Sequence, residues 1–359
     1  MSNSKKYNLF IMLSTIGRNI VEVFSSVLLY KMGYSFREIL LFYIVLYFVG
    51  GIVSIGVIYL TRCISGKIIL FISNFIFSFS FWFMSSMEKS SFNLFIFAII
   101  YGIGAYSYHS LRHYFAIRSI RYDSRKDIGN ILIFTNIGLV IGSIIASYIT
   151  KKMSLSLLVI FVVFISCTAT KYLFGIDTKD DKGVISYQRI GGNKILFFVL
   201  EQAKVIFLSL QPLYLYLFVS KSIGYVGIFN AITGISACIF IYFFVRKIDD
   251  KKWFKYLNVL FCLVLLLKIN IVNRYLILVI GFFEGLFIKM FEIVSTENIY
   301  DIDGSIDKRG YVILVEVIFC FTRCLFCLIC YFINDIRVIL YMFILVIFGI
   351  SFIKRKKIE

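Results

Sequence analysis

Proline is almost missing: Pro212 is the only one in 359 residues. Only 16% of the chain is charged, against about a quarter in soluble domains. So little charge cannot clothe a soluble surface, and so little proline excludes a proline-rich solvated tail. The glycines of GVISYQRIGGNK (183–194) lack the strand–helix context of a nucleotide loop, so a driving force must come from a gradient. No small-residue cleavage site follows the charged, then apolar opening MSNSKKYNLFIMLSTIGRNIVEVFSSVLLY, which therefore reads as an uncleaved first span.

What is present is oil. Apolar residues make up 60% of the chain and mean hydropathy is +0.91. They fall in runs such as LLFYIVLYFVGGIVSIGVIYL (40–60), long enough to cross a bilayer core at roughly 20 helical residues. These runs do not alternate as barrel strands do. The pattern predicts an all-α membrane protein with spans at 8–30, 39–61, 68–87, 92–116, 128–150, 153–173, 195–219, 223–245, 256–273, 275–297, 311–332 and 336–353. The net charge of +18 is then topology rather than a nucleic-acid footprint. Lys and Arg outside the spans crowd onto the side of the N-terminus, with Lys268 assigned to the sparse opposite side, which predicts both termini in the cytosol. Abundant Ile, Phe, Lys, Asn and Tyr point to an AT-rich bacterial genome, hence to a multi-pass protein of a bacterial inner membrane.

The longest polar stretch, 175–194, reads as a cytoplasmic linker between two six-helix bundles, 1–174 and 195–359. The halves echo each other: at an offset of 184, Arg62 falls on Arg246 and Gly50 on Gly234, and in each half a charge-free helix ends on that Arg and runs into a basic loop. Such internal symmetry belongs to transporters, whose site lies between the repeats.

On these features the chain resembles the major facilitator superfamily of secondary transporters over nearly its whole length. The family's loop after the second helix resembles G-x-L-A-D-R-x-G-R-K. Here GVIYLTRCISGK keeps Arg62 and Lys67, but Thr61 replaces the acid. The resemblance implies a cytoplasmic gate at Arg62, Lys67 and Arg246, weakened by that loss. Gly129, Gly138 and Gly142 match the glycine spacing of the family's exporters, with Ser143 for the proline. They read either as helix-packing residues or as an export signature.

Charges inside spans are costly and usually face water or a partner. Arg18 and Glu22 lie in the first span, and His109, Arg112 and His113 in the fourth. Glu201 and Lys204 lie in the seventh, and Glu284, Lys289, Glu292 and Glu297 in the tenth. Glu316 and Arg323 lie in the eleventh. The first, fourth, seventh and tenth spans form one symmetry-related set, which in the resembled family lines a central cavity with the eleventh at its edge. These residues are therefore expected to line a substrate or ion cavity, with Arg18, Glu22, Glu284 and Arg323 nearest mid-membrane. The rival reading pairs Arg18–Glu22, Glu201–Lys204 and Lys289–Glu292 within single helices as structural ion pairs or latches. Glu22, Glu201, Glu284, Glu292 and the histidines are the candidates for proton coupling, because a carboxylate's proton affinity changes as its surroundings dry. Tyr101, Tyr106, Tyr108, Tyr214 and Tyr216 are candidate lining aromatics, and Pro212 is expected to disturb the seventh span.

Cys320, Cys324, Cys327 and Cys330 lie within one helix, which cannot wrap four sulfurs round a metal, so they read as a packing or cavity-edge stripe. No metal, cofactor or nucleic acid is expected. The sequence thus predicts a monomeric, non-enzymatic transporter of a small polar or amphipathic organic solute, working by alternating access. Proton coupling is expected, with export favoured on the glycines alone. An uptake permease or a non-transporting sensor or immunity protein of the same fold remains open. A membrane enzyme would need a larger extramembrane loop than any here.

Overall fold

A computed structural model of the chain describes residues 3–119, 125–152, 155–174, 185, 187, 190–244, 250–300 and 307–352. Among them the regular elements are all helical. In chain order they are α1 (Asn3–Glu22), α2 (Ser25–Lys31), α3 (Phe36–Leu60), α4 (Gly66–Ser86), α5 (Ser91–Ser119), α6 (Arg125–Lys152) and α7 (Leu155–Phe174). Then come α8 (Gly192–Tyr214), α9 (Ile223–Phe244), α10 (Asp250–Asn270), α11 (Arg274–Tyr300), α12 (Lys308–Ile333) and α13 (Ile336–Gly349). A π-helical turn, Leu215–Val219, continues α8, and a 3-10 turn, Ile350–Phe352, continues α13.

Side-chain caps place helix ends beyond the apolar runs. Ser35 accepts from the Glu38 amide at 3.3 Å while the Glu38 carboxylate accepts from the Ser35 amide at 2.7 Å. This capping box starts α3 at Phe36, ahead of the predicted 39. Asn273 and Asp335 cap α11 and α13 through their side-chain oxygens. Asn334, at φ 53, ends α12 in the left-handed conformation.

The first predicted span is not continuous. It breaks at Val23–Phe24, where the Phe24 amide bonds back only three residues, to the Val21 carbonyl at 3.3 Å. Near Pro212, which has no N–H to give, α8 passes into its π turn, a feature that concentrates at functional sites.

Among the described residues, eight helical segments are long and apolar enough to cross a membrane; α1 with α2, and α8 with its π turn, each make one of them. Val162–Phe174 and Ile336–Phe352 are shorter apolar helices. α10 and α11, with 21 and 27 residues, reach the roughly 30 Å of a bilayer core but carry more charge.

Glycines let the helices close up. A Cβ on Gly104 of α5 would lie 2.5 Å from the Phe77 backbone nitrogen in α4. On Gly138 it would lie 2.6 Å from the Met12 carbonyl, and on Gly142 2.9 Å from the Ile16 carbonyl, both in α1. Gly227 of α9 meets Ser143 and Ser147 of α6 in the same way. Gly129 is buried on α6. The two glycines whose neighbours are visible therefore pack α6 on α1, as the packing reading expects. Backbone cannot step aside as a flexible side chain can, so Gly104→Ala is expected to cost about 1–3 kcal/mol, read as a lower melting temperature of the purified protein.

The broadest helix contacts pair α6 with α9, α6 with α1, and α3 with α12. Among the described residues, none of α4, α7, α10 or α13 lines the central cavity described below. Their outer faces carry exposed Phe75, Trp82, Phe164, Tyr256 and Leu345, a surface suited to lipid.

Candidate functional site

A cavity of about 570 Å³ runs through the middle of the helices. Arg18, Glu22, His109, Arg112, His113, Glu201, Lys204, Lys289, Glu292, Glu316 and Arg323 all line it. They come from α1, α5, α8, α11 and α12, the five helices picked out by their charges. The Glu297 side chain lies outside the described residues.

Uncharged residues complete the wall. α3 contributes Tyr43 and Tyr47, α6 Thr135 and Asn136, and α9 Asn230 and Thr233. Charge alone does not reveal these three helices, because Tyr, Asn and Thr in a membrane span look like packing residues. Of the candidate tyrosines, Tyr101, Tyr106 and Tyr108 line the cavity. Tyr214 instead donates to the Ile269 carbonyl at 3.0 Å, and Tyr216 packs its ring 6.3 Å from that of Tyr30.

The within-helix pairs form. Arg18 Nε lies 3.5 Å from Glu22 and Lys204 Nζ 3.2 Å from Glu201, while Lys289 pairs with Glu292. All of these also face the cavity, so the pairing and cavity readings hold together. Arg18 is held by rings: its guanidinium carbon sits 3.8 Å from the Phe77 centroid and 4.3 Å from that of Tyr108. Both its Nη atoms are buried without a hydrogen-bond partner. Stacking of this kind is worth roughly 0.5–2 kcal/mol per ring and asks for a planar cation.

Other contacts join distant helices. His113 Nε2 of α5 lies 3.5 Å from the Glu316 carboxylate of α12. Arg323 of α12 donates to Gln202 of α8 at 2.7 Å and to the Tyr106 hydroxyl of α5 at 3.2 Å. Tyr7 donates to the Arg112 carbonyl at 2.8 Å, and Asn19 to the Leu139 carbonyl at 2.8 Å.

Glu284 departs from expectation. It does not line the cavity but is fully buried, with one oxygen 2.7 Å from Lys268 Nζ and the other without a partner. Lys268 also donates to Gln211 at 2.9 Å and lies 4.6 Å from the Phe207 centroid. Lys268, read as lying on the sparse outer side of the membrane, is completely buried near the end of α10. Its partner is 16 positions away on another helix, beyond the reach of any i, i+4 pattern.

Of the predicted gate, Arg62 lies 5.3 Å from the Tyr59 ring and Lys67 Nζ 3.4 Å from the Phe174 carbonyl at the end of α7. Arg246 and most of the linker 175–194 lie outside the described residues. Thr61, standing where an acid was sought, donates to the Ile58 carbonyl of its own helix at 2.6 Å. The cysteine stripe faces α3: a Cβ on Gly51 would lie 3.4 Å from Cys320, and Cys324 Sγ lies 3.7 Å from the Ile44 carbonyl.

The sequence matches no protein-family model and no curated protein. Solved structures do match. A variant of the nucleoside transporter NupG superposes with a TM-score of 0.69 at 12% identity, over 98% of both chains. The human organic anion transporter MFSD10 (TETRAN) gives 0.68 at 9% identity, also over 98% of both chains. NupG itself gives 0.65 at 12% identity over the same shares. At such identities the likeness is one of fold alone: this chain shares the helical architecture of these transporter structures.

Proposed function

We propose that the protein is a secondary active transporter that carries a small polar or amphipathic organic solute by alternating access. One observation carries this reading most: the costly intramembrane charges converge on one central cavity instead of scattering. The transporter fold of the matched structures supports it independently. In this reading twelve helices form two six-helix bundles, 1–174 and 195–359, joined by the cytoplasmic linker 175–194, in a bacterial inner membrane with both termini inside. The protein acts as a monomer. Arg62, Lys67 and Arg246 belong to the cytoplasmic gate.

The lining extends to Tyr7 near the start of α1, His113 towards the end of α5 and Ile299 at the end of α11. All three lie towards the end of the bundle that carries the N-terminus, which favours an inward-facing state. At the opposite end Tyr30 packs against Tyr216 and the cavity has no lining residue beyond Ser25 on the first span. Alternation would part that contact and close the cytoplasmic end.

Proton coupling is the finer part of the proposal. Glu22, Glu201, Glu292, Glu316 and the two histidines sit where hydration changes as the halves rock, so their proton affinity would change with state. Glu284 remains a candidate only through Lys268, which donates both to it and to Gln211 of the cavity wall.

Flux of a panel of small organic solutes in proteoliposomes holding a pH-sensitive dye tests the reading. Solute-dependent proton movement, lost in Glu22→Gln, is expected; its direction decides between export and uptake. Absence of flux for every solute, in wild type as in the variant, would instead mark a sensor that kept the fold.

A further inference from the structure

By formal count the cavity wall favours cations, yet its accessible charge tells another story. In the Arg18–Glu22 pair the arginine side chain is 4% exposed and the carboxylate 34%. The guanidinium lies beneath, between Phe77 and Tyr108, and its 3.5 Å contact to Glu22 is longer than a good N–H···O bond, leaving the carboxylate open to another donor. Glu292 has comparable exposure, 29%, but is surrounded by the charges of Lys289, Lys204 and Arg112. Among the described residues, Arg18 is the cation shown in contact with Glu22.

Two further features reinforce the negative pole at Glu22. It is the last residue of α1, so the helix break at Val23–Phe24 turns the negative end of α1's dipole onto the same spot. The tyrosines Tyr43 and Tyr101, both lining the cavity, lie within range of the Glu22 charge. An exposed carboxylate and a helix C-terminus, beside two cavity-lining tyrosines, together make a receptor for an organic ammonium group. On the transporter reading, we propose that Glu22, with Tyr43 and Tyr101, forms a subsite for a protonated amine on the transported solute. The solute's other end faces the cation-rich pole at Arg112, Lys204 and Lys289, which suits a polar or acidic group.

Three solutes on one skeleton separate the possibilities: phenylethylamine, phenylalanine and 3-phenylpropionate, respectively cation, zwitterion and anion. Val23 lines the cavity beside Glu22, so Val23→Cys in the full-length purified protein reports the local field through its reaction with charged methanethiosulfonates. Peptide mass spectrometry separates it from the eight native cysteines. The trimethylammonium reagent is expected to react at least about tenfold faster than the sulfonate reagent, by the attraction of one nearby exposed carboxylate. Glu22→Gln should abolish that preference and Glu22→Asp should retain it. Phenylethylamine and phenylalanine should slow labelling while phenylpropionate does not. A faster sulfonate reagent, a preference unchanged in Glu22→Gln, or no protection by phenylethylamine would overturn the subsite. None of these measurements depends on flux, so failure of the subsite and failure of the transporter reading are told apart.

Discussion

Lys268→Met is expected to destabilise the protein by about 3–5 kcal/mol, because it strands the Glu284 carboxylate without a counterion in a fully buried site. Lys268 and Glu284 are both entirely shielded, and Gln211 supplies the only other hydrogen bond shown to the ammonium. One Glu284 oxygen already lacks a partner, so the site has no reserve donor to compensate. Thermal melting in detergent reads the loss. Replacing both charges, Lys268→Met with Glu284→Leu, should recover most of it, since apolar residues of similar volume often replace a buried ion pair at little cost. Should the double variant melt as low as the single one, the pair matters for more than its own neutrality. The triad ties α8 to α10 and α11 close to Pro212 and the π turn. The double variant should therefore fold yet lose the anchor at the point where α8 would bend.

Arg18→Lys is expected to reduce transport about 100-fold while leaving the protein folded, as small misplacements in a binding site commonly do. Lysine keeps the charge but not the plane. The guanidinium carbon lies 3.8 Å from the Phe77 ring of α4 and 4.3 Å from the Tyr108 ring of α5, and these contacts hold the arginine that pairs with Glu22. A flexible, strongly hydrated ammonium cannot stack on two faces and would draw Glu22 towards itself. Initial flux rates in proteoliposomes, compared with melting temperatures of the same preparations, distinguish mispositioning from unfolding. Equal flux in Arg18→Lys and wild type would show that charge suffices.

Much of this site can be read before any coordinates exist. A charge inside a lipid-length helix is expensive, so Arg18, Arg112, Glu201 and Lys289 identify four of the cavity-lining helices without further information. The same logic put Glu284 on the cavity wall, although a charge can equally be satisfied by one buried partner on another helix, here Lys268. Nothing local marks that partnership. Tyr43, Asn136 and Thr233 stayed hidden for the opposite reason: uncharged polar residues are cheap enough in a bundle to be there for packing alone. The helix break after Glu22 was also illegible, since Val21 through Ser26 contains neither glycine nor proline. It shows only in the backbone, where the Phe24 amide bonds Val21. Gly138 and Gly142 were readable in kind, as packing residues, though their partner helix α1 was not.

The central claim is that one cavity opens in turn to the two faces of the membrane. Thr135→Cys on α6 and Val205→Cys on α8 place a thiol on the cavity wall from either half. A membrane-impermeant maleimide, applied to right-side-out or inverted vesicles, reports which face reaches it. The account predicts labelling from both faces. Joining Tyr30→Cys to Tyr216→Cys with a bifunctional thiol reagent should then abolish labelling from the outer face alone. Labelling from a single face before cross-linking, or an unchanged pattern after it, would contradict alternating access.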